Sequence, residues 1–265
     1  NYKFNKILVI YNFYTLNLNE NILNIRNKIK IGKNSELHLL DFTINESKCN
    51  FFNNVFEDII LDNSAILKNI YLQNDKSSGY FHKFSKNKLS SGSKITSFIF
   101  PTGLKFNKLD LEFDLEGEQG ECNIQSASFL NSNEHQEVKT RVNHFYPNCK
   151  SYQKVKNVLS AESKGVYQGK IFVKDIAQKT DAYQLSKAIL LSESSEFNSK
   201  PELEIYADDV KCSHGSTSGS LDKDSIYYLM TRGLNKNEST KILVESFLNE
   251  ITESIKSKTI KNFIK

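Results

Sequence analysis

The stretch KPELEIYADDVKCSHGSTSGSLDKDSIYYLMTRG, residues 200–233, contains the change of period on which the fold turns. Its first part alternates, with Leu203 and Ile205 set among Glu202, Glu204 and Tyr206. That period of two places successive side chains on opposite faces of a strand. A Gly/Ser/Thr run at 215–219 reads as a turn, and beyond it the period becomes helical, with Ile226, Leu229 and Met230 on one face. Asp222 is suited to N-cap that helix, and Gly233 stands where a left-handed C′ residue would close it. Residues 200–233 therefore predict a β body that gives way to helices after Gly219.

Upstream, the period of two recurs in short runs at 29–31, 36–39, 58–61, 109–115 and 170–173. Polar turns at 32–35, 62–64, 116–120 and 161–165 separate such runs. No strongly helical stretch lies between them, which disfavours βαβ units. A weak repeat, NSEL at 34–37 and NSAI at 63–66, is offset by 29 positions. Spacing of this order is the signature of stacked units, and short strands with polar corners fit the coils of a β-helix. On pattern alone a β-sandwich fits nearly as well. The long polar stretch at 73–92 predicts a surface loop or hairpin excursion. Downstream, a second helix is expected from Asn235, with Glu238 completing a capping box. Its apolar residues Leu243, Phe247, Leu248, Ile251 and Ile255 recur at helical spacing. The expected organisation is a β core over residues 1–219 and an exposed, docking-competent helical hairpin over residues 220–265.

Of the 265 residues, 38% are hydrophobic and 25% charged, an ordinary globular balance. The net charge of +4 arises from 35 basic and 31 acidic residues, with no basic block interleaved with aromatics, which argues against a nucleic-acid partner. Cys49, Cys122, Cys149 and Cys212 are widely spaced and form no CxxC pair, as expected of free thiols in a reducing compartment. That compartment would be the cytoplasm or an organelle with a reducing interior, such as a plastid. The chain opens on Asn, which fits a piece of a longer protein. Lys3 and Lys6 ahead of residues 7–10 mimic a signal peptide, but Asn12 interrupts the apolar run and no small-residue cleavage site follows. A buried strand is expected there. No run approaches the roughly 18 apolar residues of a membrane span.

The sharpest chemical candidates are Cys212 and His214. Residues i and i+2 of a strand share a face, so thiol and imidazole would point together, and both ligate iron and zinc. Asp208, just upstream, is placed either to orient the ring or to join the ligand face. A Cys-x-His pair supplies at most two ligands where a closed site needs about four. From the residues alone, the plainer reading is a pair partly buried at a strand end. His144, with Cys149 across Pro147, is a second candidate, better suited to a satisfied structural histidine. The run at 179–183 suits a polar turn capping a β-coil. There is no nucleophile elbow, phosphate-cradling loop or HExxH helix. The acids are scattered, which leaves a polysaccharide-active β-helix without its carboxylate cluster.

Several segments together resemble the SufB/SufD family of iron–sulfur cluster assembly proteins. They are His144 with Pro147; Ser151, Gln153, Lys156, Val158 and Leu159; GVYxGKI at 165–171; AQKTDAYQ at 177–184; LLS at 190–192; KPELEI at 200–205; and ADDVKCSHG at 207–215. The likeness runs the length of the chain and is strongest after Arg141. SufB-like sequences carry a Cys in the stretch before the final strands and another after the helical Tyr. Here residues 193–200 lack the first, Leu229 follows Tyr228, and the motif at 212–215 is CSHG, all as in SufD. The resemblance implies a right-handed parallel β-helix followed by a C-terminal helical segment, without the N-terminal helical region of full-length members. It implies a non-enzymatic scaffold that pairs with SufB through the β-helices and binds the SufC ATPase through the C-terminal helices. A homodimer is a further possibility it leaves open. It also places a transient iron–sulfur cluster or iron at the SufB interface, with His214 as the contributed ligand, Cys212 nearby, and nothing tightly bound to this chain alone. The alternative is a purely structural partner with no ligand role.

Overall fold

The computed structural model describes residues 2–45, 50–74, 77–255, 257, 260–261 and 264; Cys49 lies outside these. Among the described residues, fifteen strands alternate between two parallel sheets. One sheet has the order β1 (Lys3–Tyr14), β3 (Glu36–Asn45), β5 (Ile66–Asn74), β7 (Lys94–Phe100), β9 (Glu121–Leu130), β11 (Lys150–Leu159), β13 (Asp181–Leu190) and β15 (Lys211–Gly219). The other runs β2 (Ile22–Ile31), β4 (Phe52–Leu61), β6 (Ser77–Leu89), β8 (Leu104–Leu115), β10 (His135–His144), β12 (Lys164–Val173) and β14 (Glu196–Ile205). Each strand crosses to the opposite sheet before the chain returns one rung further on. The result is a parallel β-solenoid of about seven turns, and the β-sandwich alternative falls away.

The corners explain the regularity. Asn34, Ser64, Gly92, Gln119, Asn148 and Lys179 all have φ between 55° and 67°, one per coil. Each donates its backbone N–H to the carbonyl of the next coil's corner: Asn63, Ser91, Glu118, Pro147, Gln178 and Asp209 respectively. The left-handed turn thus satisfies backbone groups that a tight corner would otherwise strand. The polar turn expected at 179–183 is confined to its start: Lys179 is the corner, and Asp181 already begins β13. In the register Glu36 pairs with Ile66 and Asn34 matches Ser64 at the corner, so the coil offset here is 30, one more than the sequence echo gave.

Inward positions hold the core: Leu61, Leu67, Leu89, Ile95, Leu115 and Ile124 are each at most 1% exposed. Between them runs a polar interior. Lys83 is buried against Glu57 at 3.0 Å and Asp41 at 3.4 Å, with its ammonium 4.9 Å from the Tyr71 ring centre. The polar stretch at 73–92 is therefore no loop over most of its length. It forms β6, whose inward face is Phe81, Lys83, Ser85, Asn87 and Leu89, all buried. Polar side chains that bond within the tube hid the strand from a hydrophobicity pattern; residues 75–76 lie outside the described set. The residues after Lys6 also correct an expectation. They form β1, an edge strand whose Leu8, Val9 and Ile10 remain exposed instead of buried.

Two helices follow β15. Helix α1 (Lys223–Thr231) is capped by Asp222, whose side chain accepts from Ser225 N–H, and the chain leaves it through Gly233 at φ 94°. Helix α2 (Lys236–Thr252) opens on the Asn235–Glu238 capping box. Helix α1 contains no buried residue, as the expected exposed hairpin requires. The second half of α2 and the residues just beyond it do not fit that expectation. Ile251 and Ile255 are buried on the outer face of the eight-stranded sheet, against Leu40, Ile70, Leu72, Phe98, Phe100 and Ala127. No helix among the described residues is long and apolar enough to cross a membrane.

Candidate functional site

Strand β15 is the last rung of its sheet and pairs only with β13, so one edge is open. The N–H of Lys211 bonds to Thr180 O on the β13 side. In a parallel ladder alternate residues address alternate neighbours, so Cys212, His214 and Ser216 direct their backbone groups to the open edge. Strand β14 is likewise the open edge of the other sheet. The solenoid thus ends in a coil with two unpaired strand edges.

Side-chain direction follows from the register. Cys212 lies beside Ala182, His214 beside Gln184 and Ser216 beside Ser186, and all three β13 residues are buried on the inner face. Cys212, His214 and Ser216 therefore share the inner face of a coil with nothing stacked above it. Cys212 is half-buried against Ala182, Leu203, Ala207 and Val210, whereas His214 is exposed. Burial holds the Cys212 thiol above its ordinary pKa, and the negative Asp181 adds to this, while a bond from the Ala182 backbone opposes it. The thiol is thus protonated in this setting, and ligation by it must release a proton. The two sequence-predicted residues do share one face, as the i, i+2 spacing requires.

Asp208 does not complete a three-donor metal group with them. Its backbone carbonyl accepts from the Val210 N–H, and that of Asp209 accepts from the Lys179 N–H at the last corner. His144 is fully buried inside the tube, with Nε2 2.9 Å from Ser151 Oγ, and burial lowers its pKa to about 3, so the ring is neutral. Cys149 bonds instead to the Gly117 carbonyl at 3.2 Å. These two form no common site; the His144 ring is held at Nε2 alone, and its buried Nδ1 has no partner among the described residues, so the expected satisfied histidine is only half satisfied. Among the described residues, no group of three or more His, Cys, Asp or Glu side chains is arranged to hold a metal ion. Cys212 and His214 are thus a thiol and an imidazole on one face of an open edge strand.

Sequence reasoning missed the polar network beneath His214. Ser216 Oγ lies 2.9 Å from Ser186 Oγ, which in turn lies 2.7 Å from Ser199 Oγ. Deeper, Tyr167, Gln153, Thr140 and Gln184 form a connected cluster. It also missed the clamp between hairpin and solenoid, in which Lys154 and Lys156 both reach Glu250 and Lys156 donates to Phe247 O at 2.8 Å. Buried hydroxyls and amides carry no periodic signal, and contacts spanning more than 90 residues carry none either.

Fold and site together define a β-solenoid protein with a helical appendage and a thiol and an imidazole on one face of its open terminal coil. The chain belongs to the family described as SUF system FeS cluster assembly, SufBD core domain, which it matches over residues 14–247. It is 34% identical over 182 residues to the iron–sulfur cluster assembly protein SufD of Escherichia coli, covering 68% of this chain and 43% of that protein. An iron–sulfur cluster assembly SufBD family protein of Synechocystis is 29% identical over 77% of this chain and 45% of its own length. A chloroplastic protein of Arabidopsis thaliana, ABCI7, is 24% identical over 91% of this chain and 51% of its own. The chain thus spans about half the length of these relatives, and within the family it is of the SufD type.

Proposed function

We propose that this chain is the SufD-like scaffold subunit of an iron–sulfur cluster assembly complex, non-catalytic itself, and that its open terminal coil is the face presented to SufB. The observation that carries this reading is the position of His214, exposed on an inward-facing position of an unpaired edge strand. There a partner strand would bring further ligands beside it. A two-donor set is inadequate alone but sensible across an interface, since cluster iron takes about four thiolate or imidazole ligands. The nascent cluster is cargo, and His214 would ligate it through neutral imidazole, with Cys212 adjacent. The SufC ATPase would dock on α1, where Tyr227 and Tyr228 are 69% and 57% exposed and no residue is buried. Exposed aromatics of this kind are characteristic of interface anchors. The setting in this reading is a reducing compartment, cytoplasmic or plastid.

The test is reconstitution with SufB and SufC, followed by iron and acid-labile sulfide counts. His214→Ala should leave the complex assembled and lower cluster content sharply. Cys212→Ala should match it if the thiol ligates and fall short of it if the thiol is auxiliary. Full cluster content with His214→Ala in an intact complex would leave only the purely structural partner.

A further inference from the structure

We propose that the solenoid interior holds a bound water molecule in a chamber beside Lys83, where it completes the solvation of the buried ammonium. The inference is independent of the ligand role proposed for His214. The chamber lies between the two sheets, and its polar side is formed by Glu57, Asn69, Lys83, Ser85, Asn87 and Ser97. Apolar residues of β7 and β8 close the rest. Its volume is about 20 Å³. A water needs roughly 10–15 Å³ of such space and two to four polar partners.

The hydrogen bonds made by these residues leave a specific remainder. An ammonium has three N–H donors. Lys83 meets Glu57 at 3.0 Å and Asp41 at 3.4 Å, and its third N–H has no acceptor among the described residues. Asn69 Oδ1 accepts from Ser97 Oγ at 2.6 Å, yet its Nδ2 donates to none of the described residues. Asn87 Nδ2 donates to the Glu112 carbonyl at 3.0 Å and lies 3.2 Å from Ser85 Oγ, yet its Oδ1 accepts from none of them. Glu57 Oε2 accepts from Ser85 Oγ at 3.0 Å, which leaves the carboxylate with spare lone pairs.

The residues around the chamber thus carry two unused kinds of donor, ammonium and amide, and two of acceptor, amide oxygen and carboxylate. A water molecule, with two O–H donors and two lone pairs, complements that set. A metal ion does not, because the ammonium and amide N–H groups would oppose its charge. An apolar filling does not either, since it would leave all four groups buried and unbonded. The side chain of Lys83 is 8% exposed, so bulk solvent cannot stand in for the bound molecule.

Two measurements on the full chain test this. Electron density at high resolution should show a water within hydrogen-bond distance of Lys83 Nζ, Asn69 Nδ2 and Asn87 Oδ1. In solution, magnetic relaxation dispersion of water ¹⁷O counts long-lived internal waters, of which a chain of 265 residues should hold about ten. Ser97→Thr keeps the hydroxyl bonded to Asn69 and adds a methyl group to the chamber wall, so the dispersion amplitude should fall by one water, about a tenth. Unchanged amplitude in a folded Ser97→Thr chain overturns the proposal. If that variant does not fold, the density of the unaltered chain decides, and an empty site where other internal waters are visible overturns it.

Discussion

At the scale of single residues, the interior of the tube is where substitution is most informative. Lys83 is buried between two carboxylates. Burial works to lower its pKa, but the charges of Glu57 and Asp41 outweigh this and raise it, so the ammonium stays charged. Lys83→Met would leave two acids desolvated and unpaired, and the unfolding free energy measured in urea should fall by about 3–5 kcal/mol. Replacing Lys83, Glu57 and Asp41 together by apolar residues of similar volume should cost much less, because the penalty lies in the orphaned charge. Equal losses for the single and triple changes would refute that account. His214 is the converse case: exposed on an edge strand, it should tolerate alanine with little change in stability.

The element whose behaviour is least like its sequence pattern is the helical hairpin. It is anchored at one end and free at the other. Glu250 has its pKa lowered from 4.5 to about 2, first by Lys154 and then by Lys156. A carboxylate depressed in the folded state contributes its stabilisation above the unfolded value and loses it as pH falls through the folded one. The hairpin should therefore loosen from the sheet between about pH 4.5 and 2, ahead of the solenoid. Hydrogen exchange in α2 against β11 would report it, and uniform exchange across both would contradict it. The contribution is modest, because Glu250 is half exposed. Truncation after Gly219 is a poor probe of ATPase docking, since it also strips Ile251 and Ile255 from the apolar sheet face. Tyr227→Glu with Tyr228→Glu is cleaner. α1 has no buried residue, so the melting temperature should hold while capture of SufC is lost. Retained capture would place the docking surface elsewhere.

For the molecule as a whole, the consequence of a solenoid is that it must end, and here it ends in two unpaired strand edges. Such edges invite strand addition unless blocked. Since the Lys211 N–H faces β13, the N–H of Ser216 faces outward, and proline there removes a donor only from the open edge. Ser216→Pro should leave the isolated chain folded, apart from the lost bond to Ser186, and weaken co-purification with SufB. Undiminished pairing would show that the partner does not add to this edge.

By itself the sequence determined the β body, the change to helices near Gly219, both helix caps and the shared face of Cys212 and His214. Each of these depends on residues a few positions apart, where strand period, capping and turn chemistry act. The family likeness was legible for the same reason, in contiguous runs such as ADDVKCSHG. Only the tertiary structure decided that the polar stretch at 73–92 is mostly a strand, because its polar groups are satisfied by residues from other coils. It alone showed that residues 7–10 lie on an edge, since exposure depends on what stacks above a strand. It alone placed Gln184 under His214, 30 residues apart in the chain and adjacent on the ladder. Register between coils is set by corner geometry and interior packing summed over the whole stack, and no local window of sequence contains that sum.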